Sequence, residues 1–112
     1  MNNSDIENIK NIIIEKLKIL NIEKLILFGS YAYGKPTIHS DIDLYVVTSD
    51  DFMPKTFKEK NNLYLKVSRQ LRDIRKIIAI DLIVHTKQMY EVFENTNSSF
   101  FKNDINKGIR LI

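Results

Sequence analysis

Two short groups of residues in this chain are suited to chemistry, and their spacing ties them together. Gly29-Ser30 follows an apolar run at 25–28. Ten residues later come Asp41-Ile42-Asp43, and a second apolar run follows at 44–47. Short apolar runs bounded by glycine and polar residues read as strands, so the stretch is expected to form strand, tight turn, short helical turn, loop, strand. Side chains alternate faces along a strand, which puts Asp41 and Asp43 on one side and Ile42, Leu44 and Val46 on the other. Two adjacent carboxylates repel each other, and a divalent cation is the natural counter-charge. Mg2+ suits them, because it favours carboxylate and phosphate oxygens together with water. Gly29 permits a sharp turn out of the first strand. Ser30 presents a backbone N–H and a hydroxyl at the start of the helical turn, which favours phosphate. A phosphate cradle facing a carboxylate pair describes a site for a metal-bound nucleoside triphosphate.

A third carboxylate comes later. Asp81 interrupts an otherwise apolar run at 77–84. An unpaired charge in a buried strand costs on the order of several kcal/mol; a catalytic metal, or an ion pair with Lys or Arg, would offset it. Other polar residues near the motifs have blander readings. His39 reads as a bystander or a substrate-lining side chain, and His85, at the strand end, as structural. Lys35 is either a solvated loop lysine or a contact to the triphosphate. Ser40 reads as a loop hydrogen-bonder. Tyr31 and Tyr33 either flank the nucleotide or pack. Asp50 and Asp51 follow the second strand at its far end and are expected to be solvated, not metal ligands.

Gly-Ser, ten residues, then Asp-x-Asp resembles the signature of the polymerase-beta-like nucleotidyltransferase superfamily, and the length is similar to that of its minimal members, the MNT proteins. Gly29, Ser30, Gly34, Ser40, Asp41, Ile42, Asp43 and Leu44 fit the motif, and Asp81 fits the third carboxylate that the family carries on a later strand. The closing SSFFKNDINKGIRLI resembles the family's final helix, Gly and strand. The resemblance covers nearly the whole chain. It implies an α/β (α+β) fold, a small mixed sheet of about four strands flanked by helices. It also implies two Mg2+ ions held by Asp41, Asp43 and Asp81, with Gly29, Ser30 and Ser40 toward the nucleotide and ATP as co-substrate. Attack would be in line on the α phosphorus, with pyrophosphate leaving. Minimal proteins of this type are commonly paired with a HEPN-domain protein in toxin–antitoxin systems. The resemblance therefore implies a hetero-oligomer with a HEPN toxin and transfer of AMP to a tyrosine hydroxyl of that toxin. Two other readings stay open: transfer to a small molecule such as an antibiotic with a helper subunit, and a non-catalytic antitoxin that acts by binding.

The elements that must position these residues follow from periodicity. The 112 residues suit one domain, 1–112, with a modest core. The chain has no cysteine, no apolar run long enough for a membrane and no signal-peptide pattern, which together favour the cytoplasm. A net charge of +3 is too small to diagnose a nucleic-acid binder, and direct nucleic-acid binding is not expected. Ile6, Ile9, Ile13, Leu17 and Leu20 form one stripe of a helix over 5–20, with Ser4 and Glu7 as a capping box and Asn21 as its stop. A strand is expected at 24–28. After a loop at 33–40 and the second strand, a turn region at 48–54 leads to a helix over about 55–76. Phe57, Leu63, Tyr64, Val67, Leu71 and Ile74 lie on its inner stripe. Lys58, Lys66, Arg69, Arg72 and Lys76 lie opposite, as a solvated face or a docking surface for an acidic partner or RNA. No aromatic residues interleave with these bases, which weakens the RNA reading. The third strand is expected at 77–84. Thr86 caps a helix through Phe93, a loop covers 95–97, and Ser98 or Ser99 caps a last helix at 100–107. Gly108 stands just past its end, and a short strand closes the chain at 109–112.

Overall fold

A computed structural model of the chain describes residues 3–37, 39–96 and 98–112. Met1, Asn2, Ile38 of the expected loop at 33–40 and Asn97 of the expected loop at 95–97 lie outside the described residues. The two apolar runs beside the motifs pair with each other. β1 (Ile22–Phe28) and β2 (Ile42–Thr48) are antiparallel, with Leu27 opposite Leu44 and Phe28 opposite Asp43. β3 (Ile80–His85) lies parallel to β2 on its other side, pairing Ile42 with Ile80 and Asp43 with Asp81. β4 (Ile109–Arg110) is antiparallel to β1, giving a sheet ordered β3-β2-β1-β4. This mixed four-stranded sheet flanked by helices is the expected α/β (α+β) architecture.

Both faces of the sheet are covered, which is why β2 reads as a nearly continuous apolar run. On one face Leu25, Leu27, Leu44 and Val46 pack against Ile9, Ile13 and Leu17 of α1 (Asn3–Lys18) and against Leu63 and Val67 of a later helix (Phe57–Ser68). On the other face Phe28, Tyr45 and Val47 cluster with Ile105, Tyr90 and Phe93. Four residues after β1, Ser30–Tyr33, form the short helix α2. The helix at Phe57–Ser68 is then α3, and Lys87–Asn95 is α4.

The ends of several elements differ from expectation, each for a local reason. α1 starts at Asn3, so Ser4 lies inside the helix and the expected capping box does not form. Glu7 instead accepts a hydrogen bond from Lys10 at 3.1 Å. At α3 Thr56 is the N-cap, its Oγ1 accepting the Glu59 N–H at 3.1 Å, and the Glu59 carboxylate accepts the N–H of Lys55, one residue before the cap, at 3.3 Å. Asn21 ends α1 as expected, with φ of 57°, a left-handed conformation that asparagine tolerates.

The helix expected over 55–76 is shorter. Beyond Ser68 the chain tightens into two 3-10 turns, Arg69–Leu71 and Ile74–Lys76, which still bury Leu71 and Ile74. Arg75 fixes this bend, donating to Ser68 Oγ at 2.5 Å, to Tyr64 Oη at 3.2 Å and to the Ile80 carbonyl at 3.3 Å. Ile78 N–H still bonds to the Ile74 carbonyl, so β3 starts at Ile80 and not at 77. On the basic face Lys58, Arg69, Arg72 and Lys76 are exposed, as the solvated reading expects, while Lys66 is paired with Asp50. The hydrogen bond from Lys66 holds the half-buried Asp50 carboxyl below the usual carboxylate range, so the solvated reading fails for Asp50. Asp51 is exposed as expected.

Thr86 caps α4, which runs two residues past Phe93. Near the C-terminus the expected helix is a π-helical segment, Phe101–Ile105, with Ser98 Oγ accepting the Phe101 N–H at 3.2 Å. Gly108 follows it in close contact with β1, where a Cβ would lie 2.6 Å from the Leu27 carbonyl oxygen. β4 is shorter than 109–112, although Leu111 N–H still donates to the Leu25 carbonyl at 2.7 Å. Among the described residues, no helix is long and apolar enough to cross a membrane.

Candidate functional site

The parallel pairing of β2 with β3 sets Asp43 and Asp81 side by side. They stand on the sheet face that continues into Tyr45 and Val47 on β2 and into Ile83 on β3. His85 belongs to the same face, its Nδ1 2.6 Å from the Tyr45 hydroxyl, with the two rings edge to face. That contact bears out the structural reading of His85, and burial pushes its imidazole below the ordinary value. The aromatic cluster thus fills the far part of this face, and the carboxylates occupy the end where β2 and β3 begin.

Asp43 is half-buried, whereas Asp81 is exposed. The cost of a buried charge, expected at Asp81, falls on Asp43. β3 is an edge strand and Asp81 lies near its open start, so water reaches it. Burial raises the Asp43 carboxyl to about 6, and the neighbouring charges of Asp81 and Asp41 push in the same direction. Asp41 lies one residue before β2 and lines a cleft of about 540 Å³ together with Ile6, Tyr31, His39, Ser40 and Ile78. Among the described residues, no three acidic or histidine side chains converge on one point. Asp43 and Asp81 are the preformed pair, and Asp41 acts on Asp43 through its charge.

Gly29 meets this pair from β1. Its φ is 75°, and a Cβ there would lie 2.0 Å from Asp43 Oδ2. The glycine is therefore needed twice, for the left-handed turn and for the space that Asp43 fills. Ser30 starts α2, and the turn closes on itself: Ala32 and Tyr33 N–H groups donate to the Gly29 carbonyl at 3.0 and 3.2 Å, and Gly34 N–H to the Ser30 carbonyl at 3.1 Å. Ser40 Oγ accepts the Thr37 N–H at 2.8 Å, the loop role expected of it. Lys35 and His39 are exposed, and His39 lies at the cleft.

Two hydrogen-bond partners in this region carry no reading in the sequence, Asp104 for Tyr33 and Tyr45 for His85. Tyr33 donates its hydroxyl to Asp104 Oδ1 at 2.9 Å. The Asp104 partnership has no sequence signal, because it joins a turn to a segment 71 positions away. The Tyr45–His85 pair had one: both stand at alternate positions, in step with Asp43 and Asp81.

The donor set here is all oxygen, with a half-buried carboxylate whose charge is disfavoured by two others. Such a set fits a hard divalent cation, which would relieve the repulsion that Asp81 and Asp41 exert on Asp43. The tight turn beside it suits a phosphate group.

The sequence pattern of the family described as polymerase beta, nucleotidyltransferase, matches residues 7–107. The putative protein adenylyltransferase of Methanocaldococcus jannaschii is 33% identical over 87 residues, which span 78% of this chain and 75% of that protein. Two solved structures share the fold. One is a toxin–antitoxin with AMP-PNP, with a TM-score of 0.57 and 21% identity over 92% of this chain and 72% of that one. The other is the toxin–antitoxin MntA–HpeT as a double Asp-to-Glu variant, with a TM-score of 0.54 and 19% identity over the same 92% and 72%.

Proposed function

The chain belongs to the polymerase beta nucleotidyltransferase family, and from that premise we propose that it is a Mg2+-dependent protein adenylyltransferase, an antitoxin that transfers AMP from ATP to a tyrosine hydroxyl of a cognate HEPN-domain toxin. The observation that carries the reading is the Asp43–Asp81 pair packed against the Gly29 turn. A protein acceptor is supported by the name of the archaeal relative, and an adenine nucleotide by the AMP-PNP bound in a structure of the same fold.

Asp41, Asp43 and Asp81 would hold two Mg2+ ions, which supply charge neutralisation at the triphosphate and a lowered pKa for the attacking hydroxyl. Gly29 and Ser30 receive the β and γ phosphates on the backbone of the turn, and Ser40 steadies the loop that delivers Asp41. The acceptor hydroxyl attacks the α phosphorus in line. The bond from that phosphorus to the bridging oxygen breaks, pyrophosphate leaves with the bond's electrons, and the acceptor keeps AMP as a phosphodiester. Asp81, exposed at the start of β3, accepts the hydroxyl proton. Positioning and charge neutralisation carry the step, with no covalent enzyme intermediate.

The test is the intact mass of the protein encoded beside this chain, after incubation with ATP and Mg2+. A gain of one or more AMP units with wild type and none with Asp43→Asn is the expected result. Transfer retained by Asp43→Asn would overturn the assigned roles. Tight complexes without mass change would favour neutralisation by contact, and no complex at all would favour a small-molecule acceptor.

A further inference from the structure

The turn at 29–34 has little stiffness of its own. It holds one four-residue helix between Gly29 and Gly34, too short to be stable in isolation. The C-terminal part of the chain grips it on both sides. Before the turn, Phe28 meets Phe100 edge to face, with ring centroids 5.5 Å apart. After it, Tyr33 donates its hydroxyl to Asp104 Oδ1 at 2.9 Å. Phe100 and Asp104 are four residues apart and so project from one side of their helical segment. That segment is anchored by Ile105, which is 2% exposed and packs with Phe28 and Tyr45. It closes with a π-type hydrogen bond, Asn106 N–H to the Phe101 carbonyl at 2.8 Å.

We infer that Asp104 is a positioning residue for the nucleotide, a role that rests on the transfer site proposed above. It does not touch the nucleotide. By accepting the Tyr33 hydroxyl it fixes the angle at which the backbone of the turn meets the triphosphate, while Phe100 fixes the entry to the turn. Tyr33 is 49% exposed, so the bond contributes modestly to global stability, and a positioning effect separates from a structural one.

The experiment measures the Kd for AMP-PNP with Mg2+ by calorimetry, and KM and kcat for transfer. Asp104→Ala and Tyr33→Phe are each expected to weaken nucleotide affinity about five- to tenfold, the loss of one hydrogen bond to a charged acceptor. The effect falls on KM for ATP more than on kcat, and melting temperatures fall by no more than about 5 °C, with the variants still folded at the assay temperature. The double variant is no weaker than either single one, because both remove the same bond. Asp104→Asn, whose amide oxygen still accepts the hydroxyl, restores most of the affinity. Additive losses, or an Asn variant no better than Ala, would overturn the inference. An unchanged Kd in both single variants, with wild type binding normally, overturns it and leaves the proposed function standing. A wild type that binds no nucleotide overturns both.

Discussion

At Asp43 burial and like charge act in one direction, so this carboxylate is a cost to the fold. Its folded value of about 6 lies above the ordinary 3.8. The protonated form is therefore favoured by folding, and the group's contribution to stability is lost as pH rises through about 6. With divalent ions chelated, Asp43→Asn is expected to melt higher than wild type at pH 8, and the two should coincide near pH 4. The gain should be about 1 kcal/mol once solvent screening of a half-exposed carboxyl is included, or roughly 4 °C in Tm. Gly29→Ala should do the opposite, costing about 1–3 kcal/mol from the left-handed backbone and displacing Asp43, so that transfer is lost even where the variant still melts cooperatively. The Gly-Ser and Asp-x-Asp spacing made this part of the candidate site legible in the sequence. The partition of burial between Asp43 and Asp81 was not, because it depends on which strand lies at the sheet edge. The hydroxyl of Tyr33 was equally opaque, since its partner is remote in the chain.

At the scale of elements, α3 and the bend after it show where periodicity stops being informative. Leu63, Val67, Leu71 and Ile74 keep a helical spacing straight through the bend, so the sequence gives no sign that the helix ends at Ser68. The break is tertiary: the Arg75 guanidinium ties Ser68 and Tyr64 to the first residue of β3. Arg75→Ala is expected to cost about 1–3 kcal/mol in urea denaturation, because three acceptors lose a charged donor together. The ion pair of Asp50 with Lys66 joins the turn after β2 to the same helix. Asp50 has a depressed carboxyl, so its contribution is present at neutral pH and lost as pH falls through its folded value. Asp50→Asn should cost up to about 1 kcal/mol at pH 7, the scale of a partly exposed pair, and nothing near pH 2.

Over the whole molecule, β2 is covered on both faces, by α1 and α3 on one and by α4 and the segment around Ile105 on the other, and its nearly continuous apolar run reflects that cover. The mixed pairing was expected from family resemblance, whereas the register that opposes Asp43 and Asp81 emerges only from the assembled sheet. A ligand that binds only the folded protein stabilises it by mass action, by about 2.7 kcal/mol at a hundred times its Kd. Mg2+ with AMP-PNP is therefore expected to raise the melting temperature of wild type and to leave Asp43→Asn nearly unmoved; an equal shift in both would place the ligand elsewhere.

The two carboxylates reach each other by routes of very different length. β1 and β2 are joined by a short turn and loop and pair antiparallel, so Asp43 is delivered early and next to its glycine. Asp81 arrives only after the chain has passed through α3 and its bend and crossed over to pair parallel with β2, a contact whose loop-closure entropy makes it slow. If that crossover docks after the folding transition state, the electrostatic repulsion enters on the native side of the barrier. Mg2+ should then slow unfolding while leaving the refolding rate almost untouched, a pattern readable as a shift of one arm in a stopped-flow denaturant series. Acceleration of refolding would instead place the parallel strand in the folding nucleus.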